Sequence, residues 1–238
     1  MKKILVFFAL SVIGFSSEGF AQKAALFFDE ADALFSTYVS NGKVDYLALN
    51  DEKESLKELL ELAAEVRVSA SDANSYQAFW INAYNLAVLK GVLDNYPLKS
   101  PLDKAGFFDR TKYTLGGTTI TLNDIENKML RAIFKDARVH FVLVCGANGC
   151  PPIISKAYRP ENVQKLLEQQ TIKALNNSSF IKVSDRTVAL SEIFKWYKED
   201  FVSEHQSEID FLNTYRKEKI APNSKITYYS YDWRLNSK

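Results

Sequence analysis

Ser71-Asp72-Ala73-Asn74-Ser75-Tyr76-Gln77-Ala78-Phe79-Trp80-Ile81-Asn82-Ala83-Tyr84-Asn85-Leu86-Ala87-Val88-Leu89-Lys90-Gly91-Val92-Leu93 is the run on which the fold turns. Tyr76, Phe79, Trp80, Ala83, Tyr84, Ala87 and Val88 recur at helical spacing, Ser71 and Asp72 supply capping oxygens, and Asn95-Tyr96-Pro97 stops the helix. A helix of this length that is apolar on most of its circumference belongs in the middle of a molecule.

Outward toward the N-terminus, Phe27, Phe28, Ala31, Leu34, Phe35 and Tyr38 mark one packing helix, and Leu56, Leu59, Leu60, Ala63 and Val66 mark another. Toward the C-terminus the pattern changes. Lys112–Leu115 and Thr118–Leu122 flank Gly116-Gly117, a two-residue turn that wants positive φ, and predict a β-hairpin. Asn123 then opens a helix, with Glu126 three residues on in a variant of the capping box. Arg138–Cys145 is the best strand candidate, and a helix follows over Pro160–Asn176. A second hairpin turns at Asp185-Arg186, Ser191 caps a helix bearing Ile193, Phe194, Trp196, Tyr197 and Phe201, another helix begins near Ser207, and Lys225–Arg234 reads as a late strand. Helices first and hairpins afterwards, without βαβ alternation, predict an α+β fold: a single domain with helices packed on an antiparallel sheet built from hairpins.

The first 21 residues have another character. Met1-Lys2-Lys3, an apolar segment from Ile4 to about Ile13, and Ser16 to Ala21 reproduce the three-part layout of a secretory signal peptide, with cleavage expected after Ala21 and one globular domain over residues 22–238. The apolar core, about ten residues, is well short of the ~20 that span a bilayer. Export to the periplasm or outside the cell is therefore expected, with no membrane association after cleavage. Cleavage removes Lys2, Lys3 and Glu18 and leaves 28 basic against 28 acidic residues. Such a balance argues against nucleic acid as a partner and leaves a small-molecule or peptide ligand; the oligomeric state stays open.

Chemistry concentrates in His140-Phe141-Val142-Leu143-Val144-Cys145-Gly146-Ala147-Asn148-Gly149-Cys150-Pro151-Pro152, which holds both cysteines and one of the 2 histidines. In an exported chain, Cys145 and Cys150 invite a disulfide across four flexible residues, worth about 2 kcal/mol by loop entropy. The rival reading is a nucleophilic Cys150, its thiolate favoured by amides of the glycine-rich loop. If Arg138–Cys145 is a regular strand, His140 and Cys145 point to opposite faces, and Cys150 meets His140 only where the loop doubles back. Asn82 and Asn85, three apart on an apolar helix, either brace neighbouring loops or bind a polar ligand. Glu126 and Arg131 are expected to form a local ion pair. No spacing of cysteine, histidine or carboxylate fits a zinc or calcium site, and no phosphate or dinucleotide loop is present, so no metal or cofactor is expected.

Four blocks carry a family resemblance: Tyr76-Gln-Ala-Phe-Trp-Ile-Asn-Ala-Tyr-Asn85, Leu122-Asn-Asp-Ile-Glu-Asn-Lys-Met-Leu-Arg131, Arg138 through Pro152, and Leu190-Ser-Glu-Ile-Phe-Lys-Trp-Tyr-Lys-Glu-Asp-Phe201. In this order they resemble the family called domain of unknown function 547. The resemblance implies one shared site rather than one reaction, with Trp80, Asn82, Asn85, Glu126, Arg131, Cys145, Cys150, Trp196 and Tyr197 as matched positions. This chain has Asn127 where the family usually shows histidine, and Gly149 where it tends to place serine. A more distant likeness, to α+β thiol enzymes of the papain and transglutaminase type, rests on a long aromatic helix beside a histidine-bearing strand. Those enzymes start that helix with a cysteine, and this helix has none.

The functional expectation that results is a thiol-dependent hydrolase or acyltransferase acting on a peptide or amide. Cys150 attacks, His140 or Glu126 handles the proton, and Asn82, Asn85, Arg131 and Asn148 contact substrate. The alternative is a non-catalytic exported binding module stiffened by a Cys145–Cys150 disulfide.

Overall fold

Asp72 accepts from the backbone N–H of Ser75 and starts helix α4, Ala73–Leu93, in which every residue from Tyr76 to Leu89 is buried. The computed structural model describes residues 13–238, with side chains from Ala21 onward; the charged and apolar parts of the expected leader lie, but for Ile13, outside the described residues. Helix α1, Ile13–Tyr38, runs through the expected cleavage point, and a two-strand ribbon, β1 Val39–Ser40 and β2 Lys43–Val44, leads into α2, Tyr46–Asp51, and α3, Lys53–Glu65. Among the described residues no helix is long and apolar enough to cross a membrane.

Packing against α1 and α3 seals one side of α4, and Phe27 meets Phe79 with ring centroids 5.1 Å apart. Each such large apolar side chain contributes about 1.5–3 kcal/mol of burial. Strands β3, Lys112–Leu115, and β4, Thr118–Thr121, form the first hairpin in the predicted register, with Gly116 and Gly117 at φ +59° and +78°. Their N–H groups donate to the carbonyls of Ala63 and Ala64, so the turn satisfies acceptors left over at the end of α3.

The next helix begins differently from expectation. Thr121, not Asn123, is the cap, and it accepts from Asp124 N at 3.1 Å. A short α5, Leu122–Asp124, widens into a π-helix over Ile125–Arg131 before α6, Ala132–Phe134, closes at Lys135 with φ 51°. Glu126 therefore serves no capping box.

Arg138–Cys145 is not a strand. Asp136 caps a 3-10 helix over Ala137–Phe141, and the chain then passes through Val142–Val144 without a strand partner. Its peptide groups pair instead with Asn85, whose amide donates to Val142 O at 3.0 Å and whose carbonyl accepts from Val144 N at 2.9 Å. The apolar run had the composition of a buried strand because it threads between two hydrophobic clusters: Val139, Val142 and Val144 face the α1–α3–α4 cluster, while Ala137 and Phe141 face the other. Burial on both sides hides the period that separates strand from helix. With the strand goes one of the two features behind the papain-type likeness.

The second cluster gathers the C-terminal end of α7, Val163–Leu175, and two strands of the sheet formed by β5, Lys182–Ser184, β6, Thr187–Ser191, and β7, Lys225–Tyr229, with β6 and β7 packing on it and β5 exposed. It also includes α8, Glu192–Trp196, α9, Lys198–Val202, and α10, Glu208–Tyr215. The β5–β6 hairpin is antiparallel, as predicted, but β7 lies parallel to β6. The three helices between them make the crossover that a parallel return requires. The result is an α+β domain whose small sheets flank a helical core.

After β7 the chain does not continue as a strand. Residues 231–238 recross the molecule: Gly149 N donates to Asp232 O, Asn148 N to Arg234 O, Asn236 N to Gly146 O, and Val44 N to Asn236 O. This tail ties the cysteine loop to the N-terminal ribbon.

Candidate functional site

The π-helix sets the geometry of the site. Between α5 and α6, Ala132 N reaches Asn127 O rather than the carbonyl four back, and the widened turn aims Glu126 into a cavity and Arg131 at α9. Such π segments recur at functional sites. The cavity, about 260 Å³, lies where the two hydrophobic clusters meet, and Cys150 packs against both. Tyr84, Phe108, Trp196, Tyr197, Tyr231 and Trp233 give it aromatic walls, while Glu126, His140, Cys145 and Cys150 bring the reactive groups.

His140 reaches this cavity because the 3-10 turn replaces the strand. Its ring is buried against Tyr197, centroids 4.1 Å apart, and Nε2 lies 2.7 Å from Asp200 Oδ2. Asp200 also accepts from Arg131 Nε at 2.6 Å and Arg131 Nη2 at 2.9 Å. Burial alone would raise the Asp200 pKa, but the hydrogen bonds from His140 and Arg131 outweigh it and hold the carboxyl well below the usual carboxylate range. An ionised Asp200 only accepts, so His140 Nε2–H donates to it, and Nδ1 faces Glu126 Oε1, 3.9 Å away. This oriented imidazole is the arrangement that general-base chemistry needs.

The phenols around it stay protonated. Burial pushes Tyr84, Tyr197 and Tyr231 above the ordinary tyrosine value, and the nearby Glu126 charge adds to the rise. They therefore act as hydrogen-bond donors.

Cys145 and Cys150 have their sulfurs at disulfide distance, with Cα atoms 6.5 Å apart. Cys150 Sγ accepts from the backbone N–H of Cys145 at 3.0 Å and from the Tyr231 hydroxyl at 2.9 Å. That hydroxyl is also 3.1 Å from Cys145 Sγ.

Glu126, His140, Cys145 and Cys150 are thus brought together from the residues the sequence singled out. The others sit elsewhere. Asn82 is fully buried, donating to Ala78 O and Tyr158 O and accepting from Tyr158 N, so both ends of its amide are occupied by main chain. Asn85 is occupied by Val142 and Val144. Of the two readings of these asparagines, bracing is the one their partners fill, and neither lines the cavity. Arg131 pairs with Asp200 and Asn127 rather than with Glu126, and lies 4.9 Å over the Tyr197 ring. Asn148 accepts from Lys43 outside the cavity.

Asp200, Tyr84, Tyr231 and Trp233 were not singled out as site residues. Asp200 had a signal: it is the acid one turn beyond Trp196 and Tyr197 on the segment that Ser191 caps. Tyr231 and Trp233 had none, since only the tail's return brings them near Cys150. Among the described residues no group of three or more His, Cys, Asp or Glu is placed to hold a metal ion.

Fold and site together define an α+β domain with an aromatic pocket, a carboxylate-held imidazole and a cysteine pair in its wall. Residues 68–175 match the family model described as "Protein of unknown function, DUF547", which supports the resemblance read from the sequence over this span. No curated protein and no solved structure matches the chain. The matched span carries Glu126, His140 and both cysteines, whereas Trp196, Tyr197, Tyr231 and Trp233 complete the pocket from beyond it and Asp200 holds His140 from outside its wall.

Proposed function

We propose that the protein is exported and serves as a binding module for a small molecule or peptide, with the Cys145–Cys150 bridge forming part of the pocket wall. The observation that carries this reading is the closure of the two sulfurs on each other inside an aromatic cavity. Aromatic walls take an apolar or cationic body, and Glu126 offers one acceptor to orient it. Trp196 and Trp233 at the cavity make ligand entry visible as a change in tryptophan fluorescence. Non-reducing mass analysis of protein purified without reductant should show a mass two hydrogen atoms below that of the dithiol. Two free thiols there would defeat the reading.

A second reading is favoured by the position of His140. Once the bridge is reduced, Cys150 shares its cavity with an imidazole oriented by Asp200, and its sulfur faces two donors that favour a thiolate. Cys150 would then attack the carbonyl of a peptide or amide. Rapid single-site alkylation by iodoacetamide at Cys150, abolished in His140→Ala, would support thiol-dependent hydrolysis or acyl transfer. Equal labelling of both cysteines, unaffected by that substitution, would count against it.

A further inference from the structure

The two ends of the bridge are not equivalent. Cys150 Sγ receives a backbone N–H and the Tyr231 hydroxyl, whereas among the described residues Cys145 Sγ has only that same hydroxyl, whose single proton serves one sulfur at a time. Hydrogen bonds to the charged form favour it, so Cys150 is the better thiolate. In thiol–disulfide exchange the better thiolate leaves and its partner is attacked. Among the described residues, the cavity bearing both sulfurs is lined by one carboxylate, Glu126, and by no lysine or arginine. A thiol entering it meets aromatic faces and a negative charge, which together suit an ammonium group.

We propose that the bridge exchanges with a small amino-thiol bound in this pocket. The proposal takes the pocket from the binding reading and adds a reaction to it. The incoming thiol sheds its proton to water as it enters beside His140, whose Nε2 is held by Asp200. The resulting thiolate attacks Cys145 Sγ. An S–S bond forms there as the Cys145–Cys150 bond breaks, and the electron pair leaves on Cys150 Sγ, where the Cys145 amide and the Tyr231 hydroxyl receive it. A second amino-thiol attacks the ligand sulfur of the mixed disulfide, releasing Cys145 as a thiolate that regains a proton. Two thiols become one small-molecule disulfide, and the two electrons they lose reduce the protein's cysteine pair. Tyr231 acts here as a positioning residue for the leaving sulfur.

The test uses the oxidised full chain and two probes of similar size and opposite charge, cysteamine and 3-mercaptopropionate. After an iodoacetamide quench, peptide mass analysis should find cysteamine on Cys145 and the alkyl group on Cys150. At equal thiolate concentration cysteamine should react at least about tenfold faster, and Glu126→Gln should shrink that gap. Tyr231→Phe, which keeps the ring, should slow exchange several-fold and move the pH profile of the leaving step upward, with circular dichroism confirming the fold. An adduct on Cys150, equal rates for the two probes, or a bridge that opens only in denaturant would overturn the proposal. Butylamine, which has no sulfur, separates the two ideas. Fluorescence-detected butylamine binding without exchange leaves the binding reading standing while the reaction falls, and absence of butylamine binding removes the ammonium preference on which the proposal rests.

Discussion

His140 shows how much one side chain can organise. Nε2 is fixed by Asp200, the ring is clamped by Tyr197, and Nδ1 is presented to the cavity. Replacing Asp200 by Asn removes the charge that Arg131 and His140 share at a site only partly shielded from water. The cost falls between that of an exposed and a buried pair, about 2 kcal/mol at neutral pH, and shows as a lower denaturant midpoint. Because the Asp200 pKa is depressed in the folded state, its contribution is complete above the unfolded carboxylate value of about 3.9. It fades as the pH falls from about 5 through and below that value. The acid limb of stability should therefore be shallower in Asp200→Asn than in the parent. Asn82 makes the complementary case. Asn82→Ala orphans buried groups of Tyr158 and should cost about 2–4 kcal/mol while leaving ligand-induced tryptophan fluorescence unchanged in the folded variant. A loss of binding at undiminished stability would return Asn82 to the ligand.

At the scale of elements, the cysteine loop depends on an unusually close neighbour. A side chain at Gly149 would put its Cβ 2.9 Å from Asp232 N and from the Tyr231 ring, and Gly149 N already donates to Asp232 O. The missing side chain at Gly149 is what lets the tail lie against the loop. Gly149→Ser should cost about 1–3 kcal/mol by overpacking. It should also disturb the pocket, because Tyr231 must shift away from Cys150; thermal melting and tryptophan emission would report the two effects separately. The helices and hairpins themselves were legible, since Asp72 and Ser191 cap where their side chains predicted, a helix begins at Ser207 as expected, and Gly116-Gly117 turns as its φ angles demand. The π-helix was not, because seven residues of ordinary helix formers carry no mark of a wider turn.

For the molecule as a whole, the tail and the bridge decide whether a pocket exists. Residues 231–238 supply two aromatic walls and hydrogen bonds to the ribbon and the loop. Deleting them should abolish ligand-induced fluorescence change and lower stability, measurable as a reduced unfolding midpoint with folded helices retained by circular dichroism. Opening the bridge should cost less. A ring this short restrains the unfolded chain by about 2 kcal/mol, so reduced protein should remain folded but melt a few degrees earlier.

Local rules act within a few residues, and what they govern could be read from the chain alone: the central helix, its caps, both hairpins, the α+β class and the grouping of Glu126, His140 and the two cysteines as candidates. What lay beyond them was settled by packing across long sequence distances. Asn85 replaced a strand partner for Val142–Val144, Asp200 reached His140 from sixty residues away, and the returning tail set Tyr231 on Cys150. A buried polar group must find a partner wherever the fold brings one, and no spacing along the chain records where that will be.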